Sequence, residues 1–92
     1  MIDIEVLRRV SDTLVARKQA DPDSSYVSSL YAKGTDAICK KVAEEAAETI
    51  MASKDNDRLQ IVREVTDLWF HSLILVAHHG LSVEDVLAEL PP

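Results

Sequence analysis

Between Asp57 and His79 the chain carries a stretch that a small monomer covers only with difficulty. Ile61, Val62, Val65, Leu68, Trp69, Phe70, Leu73, Ile74, Leu75, Val76 and Ala77 fall within it. At 100° per residue they occupy nearly the whole circumference of a helix. A helix that is apolar all round must be buried all round. A chain of 92 residues has few flanking elements to bury it, so helices from a second copy are expected to complete the core, giving a homodimer. The competing arrangement folds the short N- and C-terminal helices over it.

Two glycines and three prolines in the whole chain leave few breaks. Alanine, leucine and valine are the commonest residues, and alanine and leucine, with the glutamates and lysines, favour helix. We therefore expect an all-α helical bundle formed by one domain over residues 1–92. Apolar positions Ile4, Val6, Leu7, Val10, Leu14 and Val15 predict an amphipathic helix within Ile2–Ala20. Asp21-Pro22 ends it, because proline disfavours helix at the residue before it. Ser24 or Ser25 caps a short second helix running to Leu30 or Tyr31. Gly34 breaks the chain, and Thr35 is the expected N-cap of a helix over Asp36–Ser53. The long helix over Asp57–His79 stops at Gly80. Ser82 opens a short last helix, with Asp85 at the capping-box position.

The formal net charge of −6 excludes a nucleic-acid or anionic-membrane surface, since both need clustered lysine and arginine. The N-terminus MIDIEVLRRV is no signal peptide. The longest apolar run, Leu73–Ala77, is too short to span a bilayer. Cys39 is the single cysteine; it suits a reducing, cytoplasmic setting and reads as a small core residue.

Against this background VAEEAAET (Val42–Thr49) is unexpected. Glu44, Glu45 and Glu48 crowd one and a half turns, where neighbouring like charges repel. On the helix over Asp36–Ser53 the apolar face comprises Ile38, Cys39, Val42, Ala46 and Ile50. Glu45 falls within about 20° of Ile38 on a helical wheel, so it borders the core. Glu48 and Lys41 share its flank, and Glu44 lies further out. The long helix repeats the device, with Glu64 and Asp67 three apart and His71 one turn beyond. Two such helices side by side would converge Glu45, Glu48, Glu64 and Asp67. Converging carboxylates need a cation among them, and hard oxygen ligands select Mg²⁺, Mn²⁺ or Ca²⁺. A di-iron bundle would need Glu-x-x-His pairs, which are absent.

At these residues the sequence resembles a known family. SSYVSSLYAKGTDAICKKVAEEAAE and EVTDLWFHSLILVAHHGLSVEDVL closely resemble the phosphoribosyl-ATP pyrophosphatases of histidine biosynthesis, which belong to the all-α nucleoside-triphosphate pyrophosphohydrolases of the MazG type. The matching positions are Ser25-Tyr26, Leu30, Gly34, Ile38, Lys41-Val42, Glu44-Glu45-Ala46, Glu48, Glu64, Asp67-Leu68, His71 and Gly80 to Val86. Thr66 and Phe70 depart from the family's usual alanine and tyrosine. No cyclohydrolase domain precedes, so the stand-alone form is expected.

The resemblance implies hydrolysis of phosphoribosyl-ATP to phosphoribosyl-AMP and pyrophosphate. It also implies Mg²⁺, with Mn²⁺ as a possible substitute, on Glu45, Glu48, Glu64 and Asp67. Glu44 or Glu48 would activate water. Lys41, with Lys33 and Lys40 near by, would meet phosphate. Ser25 and Tyr26 would offer hydroxyls or N–H groups to phosphate or ribose, and His71 would contact substrate or support a carboxylate. His78 and His79 read as helix-end residues. Two alternatives remain: a pyrophosphohydrolase for another nucleoside triphosphate, and a non-catalytic helical interaction module.

Overall fold

The computed structural model describes residues 3–92, and every element among them is helical. The α-helices are α1 (Glu5–Ala16), α2 (Tyr26–Lys33), α3 (Thr35–Lys54), α4 (Arg58–His78) and α5 (Val83–Glu89). The expected start of the first helix at Ile2 lies outside the described residues. Its end is tighter than expected: after Ala16 the chain runs through a 3₁₀ turn, Arg17–Gln19, and Ala20 is extended.

Local chemistry places most boundaries. Ser25 Oγ accepts from the Ser28 N–H at the start of α2, and Asp57 Oδ1 accepts from the Gln60 N–H at the start of α4. Ser82 and Asp85 form a reciprocal capping box on α5. Each of these contacts satisfies backbone donors that a helix start otherwise leaves unpaired. Gly34 and Gly80 take φ of 100° and 73°, a left-handed geometry that glycine tolerates without strain. Thr35 is not the N-cap: it is the first residue of α3, and Gly34 occupies the cap position with no side chain to offer. The Thr35 hydroxyl instead meets His78 Nε2 at 2.9 Å.

That contact joins the start of α3 to the end of α4, so the two long helices run antiparallel across the short turn Asp55–Asp57. Their packing is the most extensive in the molecule. Leu14, Leu30, Ile38 and Ile74 form the buried core, with Val10, Val27, Tyr31, Phe70 and Leu73 packed against it. The helices α1 and α5 cover part of α4. Trp69 and Val62 nevertheless remain more than 60% exposed, at 64% and 63%. Two expectations for α3 need correction. Cys39 is exposed, and so is Ile50. The buried stripe runs through Ile38, Glu45 and Ala52; Cys39 is one step of 100° round from Ile38, past the edge of the α4 contact. No described helix is long and apolar enough to cross a membrane.

Truncating Ile38, which is fully buried, removes core contacts and leaves a cavity. Ile38→Ala should cost about 2–5 kcal/mol in urea unfolding, whereas Cys39→Ser should stay within about 0.5 kcal/mol. Equal losses would place the core stripe wrongly.

Candidate active site

The antiparallel pairing of α3 and α4 lays Glu45 and Glu48 against Glu64. One carboxylate oxygen from each lies within 4.8 Å of the others. Glu45 and Glu64 are buried, at 6% and 8% exposure, and Glu48 is exposed. Gln60 Nε2 donates to Glu64 Oε1 at 2.6 Å. The second oxygens, Glu45 Oε2 and Glu64 Oε2, are buried with no hydrogen-bond partner among the described residues. Buried carboxylate oxygens are ordinarily paired or bound to metal, so the donor set fits a hard divalent cation.

Asp67, the expected fourth member, is not in this cluster. It stands one turn along α4 from Glu64 and is exposed. It is not among the residues whose carboxylate oxygens lie within 4.8 Å of one another. Glu44 is also outside, on the exposed flank, where its Oε2 accepts from Lys41 Nζ at 3.3 Å. The same ammonium lies 3.6 Å from Glu45 Oε1. Lys41 therefore sits at the edge of the acidic cluster and offsets part of its charge; the Glu44 contact raises its pKa.

The carboxylates shift one another. Glu48 is pushed up to about 7, chiefly by its hydrogen bond with Glu64 and then by the charge of Glu45. Glu64 is held below the usual range, first by accepting from Glu48 and then by the Gln60 amide. The pair shares a proton because two carboxylates this close do not both ionise readily.

Tyr26, Lys41 and His71 gather on the side of α3 and α4 that faces α2. Tyr26 and His71 are joined at 2.7 Å between the phenol oxygen and Nε2. His71 Nδ1 faces the Asp67 carbonyl oxygen at 2.8 Å. A carbonyl only accepts, so Nδ1 carries the ring proton. In the neutral ring, Nε2 then accepts from the Tyr26 hydroxyl. His71 is buried and also packs edge-to-face with Phe70, ring centroids 5.6 Å apart. It thus reaches a backbone carbonyl and a tyrosine rather than a carboxylate side chain. The Tyr26 phenol is raised above its ordinary value, first by burial, with Lys41 opposing and Glu45, Glu44 and Asp67 reinforcing. All four charged groups lie within electrostatic reach of it.

Ser25 is committed within the fold. Its hydroxyl donates to Ser28 Oγ at 2.9 Å, and Ser28 Oγ donates to the Arg17 carbonyl at 3.1 Å. Gln60 was not among the expected site residues, although its i,i+4 spacing to Glu64 is a visible signal. The Tyr26–His71 bond spans 45 residues and has no local signature.

Comparison with known proteins decides the family. Residues 7–91 match the family described as phosphoribosyl-ATP pyrophosphohydrolase. The chain belongs to that family. It is 81% identical over 89 residues to a phosphoribosyl-ATP pyrophosphatase of Azoarcus sp. (strain BH72), covering 97% of this chain and 83% of the relative. A phosphoribosyl-ATP pyrophosphatase of Aromatoleum aromaticum is equally similar, at 81% over 97% of this chain and 82% of its own. One from Chromobacterium violaceum is 64% identical over 94% of this chain and 80% of its own. The pyrophosphohydrolase family thus accounts for nearly all of the chain, the acidic cluster included.

Glu48 holds a proton in the folded, metal-free protein that the unfolded chain releases near pH 4.5. Folded-state affinity for that proton contributes stability at low pH and is lost as pH rises through about 7. The Glu64 shift runs oppositely, but below the ordinary glutamate range. The melting temperature of the metal-free protein should therefore fall between about pH 5 and pH 8. Glu48→Gln should flatten that fall. A profile identical in wild type and variant would show that Glu48 and Glu64 do not share a proton.

Proposed function

We propose that this chain hydrolyses phosphoribosyl-ATP to phosphoribosyl-AMP and pyrophosphate, a step of histidine biosynthesis, as a cytoplasmic Mg²⁺-dependent homodimer. The observation that carries the reading is the pair of buried, unpartnered oxygens on Glu45 and Glu64. With Glu48 they form a hard-oxygen donor set suited to Mg²⁺, or to Mn²⁺ as substitute. Asp67, one turn away, is assigned to the same set. The ion, when bound, polarises phosphate oxygens and offsets charge developing on the leaving pyrophosphate.

The chain's own residues supply the remainder. Lys41, drawn to the cluster by Glu44 and Glu45, is placed to exchange a carboxylate for a substrate phosphate; such charge-assisted contacts exceed an exposed ion pair in strength. Glu44 lies outside the donor set and is left to orient or deprotonate the attacking water. Glu48 is the alternative base, with a proton affinity near the operating pH. His71 Nε2 accepts the hydrogen bond of the Tyr26 hydroxyl, which leaves the phenol oxygen's lone pairs to accept from a donor on the ligand. Ser25 acts by fixing the start of α2. The exposed, free Cys39 suits a reducing compartment.

The homodimer is supported by an unpartnered apolar face. Leu59, Val62 and Trp69 follow one stripe of α4 and are each at least 60% exposed. Ile50 and Met51 extend exposed apolar surface onto α3. Burial of this face by a second copy would complete the core that a single chain leaves open.

Pyrophosphate release from phosphoribosyl-ATP at saturating Mg²⁺, set against dCTP and dUTP, tests the activity. Phosphoribosyl-ATP should be strongly preferred; equal turnover of all three would indicate a broader triphosphate hydrolase. Glu45→Gln, Glu48→Gln, Glu64→Gln and Asp67→Asn should each reduce kcat/KM by more than the ~10–100-fold typical of groups one step removed from a metal. Glu44→Gln should lower kcat while leaving Mg²⁺ affinity unchanged. Near-wild-type turnover in two or more of the first four variants would remove the donor set.

Sedimentation at micromolar concentration should give a dimer, and Trp69→Asp should disrupt it. A compact wild-type monomer would exclude the homodimer.

A further inference from the structure

A cleft of about 440 Å³ opens between α1, the start of α2 and α4, with Tyr26 in its lining and none of the three clustered glutamates. That size lies within the ~300–1,000 Å³ range of small-ligand sites. Arg9, Thr13 and Arg17 line one wall, at successive four-residue steps from α1 into the turn that follows it. Tyr26 and Phe70 line the cleft as well, and the rest of its lining is largely aliphatic.

The guanidinium groups differ in how they are engaged. Arg8, adjacent in sequence but outside the cleft, pairs with Glu84 at 2.6 Å. Arg17 has no carboxylate within 4 Å among the described residues, and Arg9 has only Asp3, at 3.6 Å between two well-exposed side chains. In a chain of net charge −6, two weakly engaged arginines on one apolar cleft are poised for an anion. Arginine matches phosphate with paired N–H donors, and an aromatic wall accepts a planar ring.

We propose that this cleft is the subsite for the phosphoribosyl end of the substrate, with Arg9 and Arg17 on its phosphate monoester and Tyr26 and Phe70 beside the base. The assignment rests on the substrate reading above. That substrate has two anionic ends of different character. The triphosphate chelates a cation and belongs at the glutamates. A lone monoester chelates poorly, is repelled by uncompensated carboxylates, and needs fixed positive charge. Tyr26 separates the two regions while touching both: its ring lines the cleft, and its hydroxyl reaches His71 beside Lys41 and the carboxylates. A ligand that spans Tyr26 places each end against charge of the opposite sign. The cleft then reads the group that distinguishes phosphoribosyl-ATP from an ordinary nucleoside triphosphate.

The test uses the full chain and its Arg17→Gln, Arg9→Gln and doubly substituted forms, with Lys54→Gln, at the exposed end of α3, as a control for loss of charge elsewhere. Steady-state kinetics with phosphoribosyl-ATP should show KM raised at least ~10-fold in the double variant, with kcat within about twofold of wild type. Inhibition by ribose 5-phosphate should be lost, while inhibition by Mg²⁺-pyrophosphate persists. Lys54→Gln should match wild type in all three. Calorimetric titration with ribose 5-phosphate reads the subsite independently of turnover. Absence of pyrophosphate release by the wild type would therefore refute the substrate reading alone. Undetectable ribose 5-phosphate binding by the wild type, or equal binding by the double variant, overturns the subsite.

Discussion

The structure turns on mutual repulsion held in place by packing. Glu45 and Glu64 are buried next to each other, and Glu48 closes the group. Left alone these charges would push α3 and α4 apart. Ile38 and Ile74, both with no measurable exposure, keep the helices together. Lys41 and the proton shared by Glu48 and Glu64 relieve part of the strain. The hydrophobic core therefore holds a cation-shaped arrangement that its own electrostatics disfavours. A protein selected for stability alone would have no reason to retain it; a hard divalent cation, for which the donor set is suited, would relieve it.

The acidic cluster also explains how other groups are distributed. The Lys41 ammonium stands at its edge, 3.3 Å from Glu44 and 3.6 Å from Glu45. The hydrogen-bonded Tyr26–His71 pair forms the boundary on the α2 side. Beyond that boundary Arg9 and Arg17 line the cleft.

Much of this is legible in sequence because it depends on helical periodicity and local capping. Ser25, Asp57, Ser82 and Asp85 act within one turn of themselves, and the placement of Glu45 near Ile38 on the wheel anticipates its burial. What fails depends on the width of the contact with α4. Cys39 and Ile50 border the apolar stripe in projection, yet the partner helix does not reach them. Thr35 resembles a cap, but the geometry of Gly34 shifts the helix start by one residue and frees the hydroxyl for His78. The Tyr26–His71 bond and the arginine cleft are assembled from distant segments. Nothing in the local pattern of α1 announces that Arg9 and Arg17 share a wall with Phe70.

The turn Asp55–Asp57 has a consequence for how the molecule comes into being. Asn56 adopts a left-handed conformation there, φ 54°, and the two long helices diverge from it in opposite directions. Glu48 and Glu64 are therefore close neighbours along the chain, and closing so short a loop costs little entropy. Contacts this local form early in folding. The chain thus meets its own charge repulsion at the hairpin stage, before α1 and α5 have docked. Neutralising one of these carboxylates, by a proton or a neighbouring cation, would ease the hairpin's closure, so the charge state of the cluster bears on the assembly of the fold as well as on its finished stability.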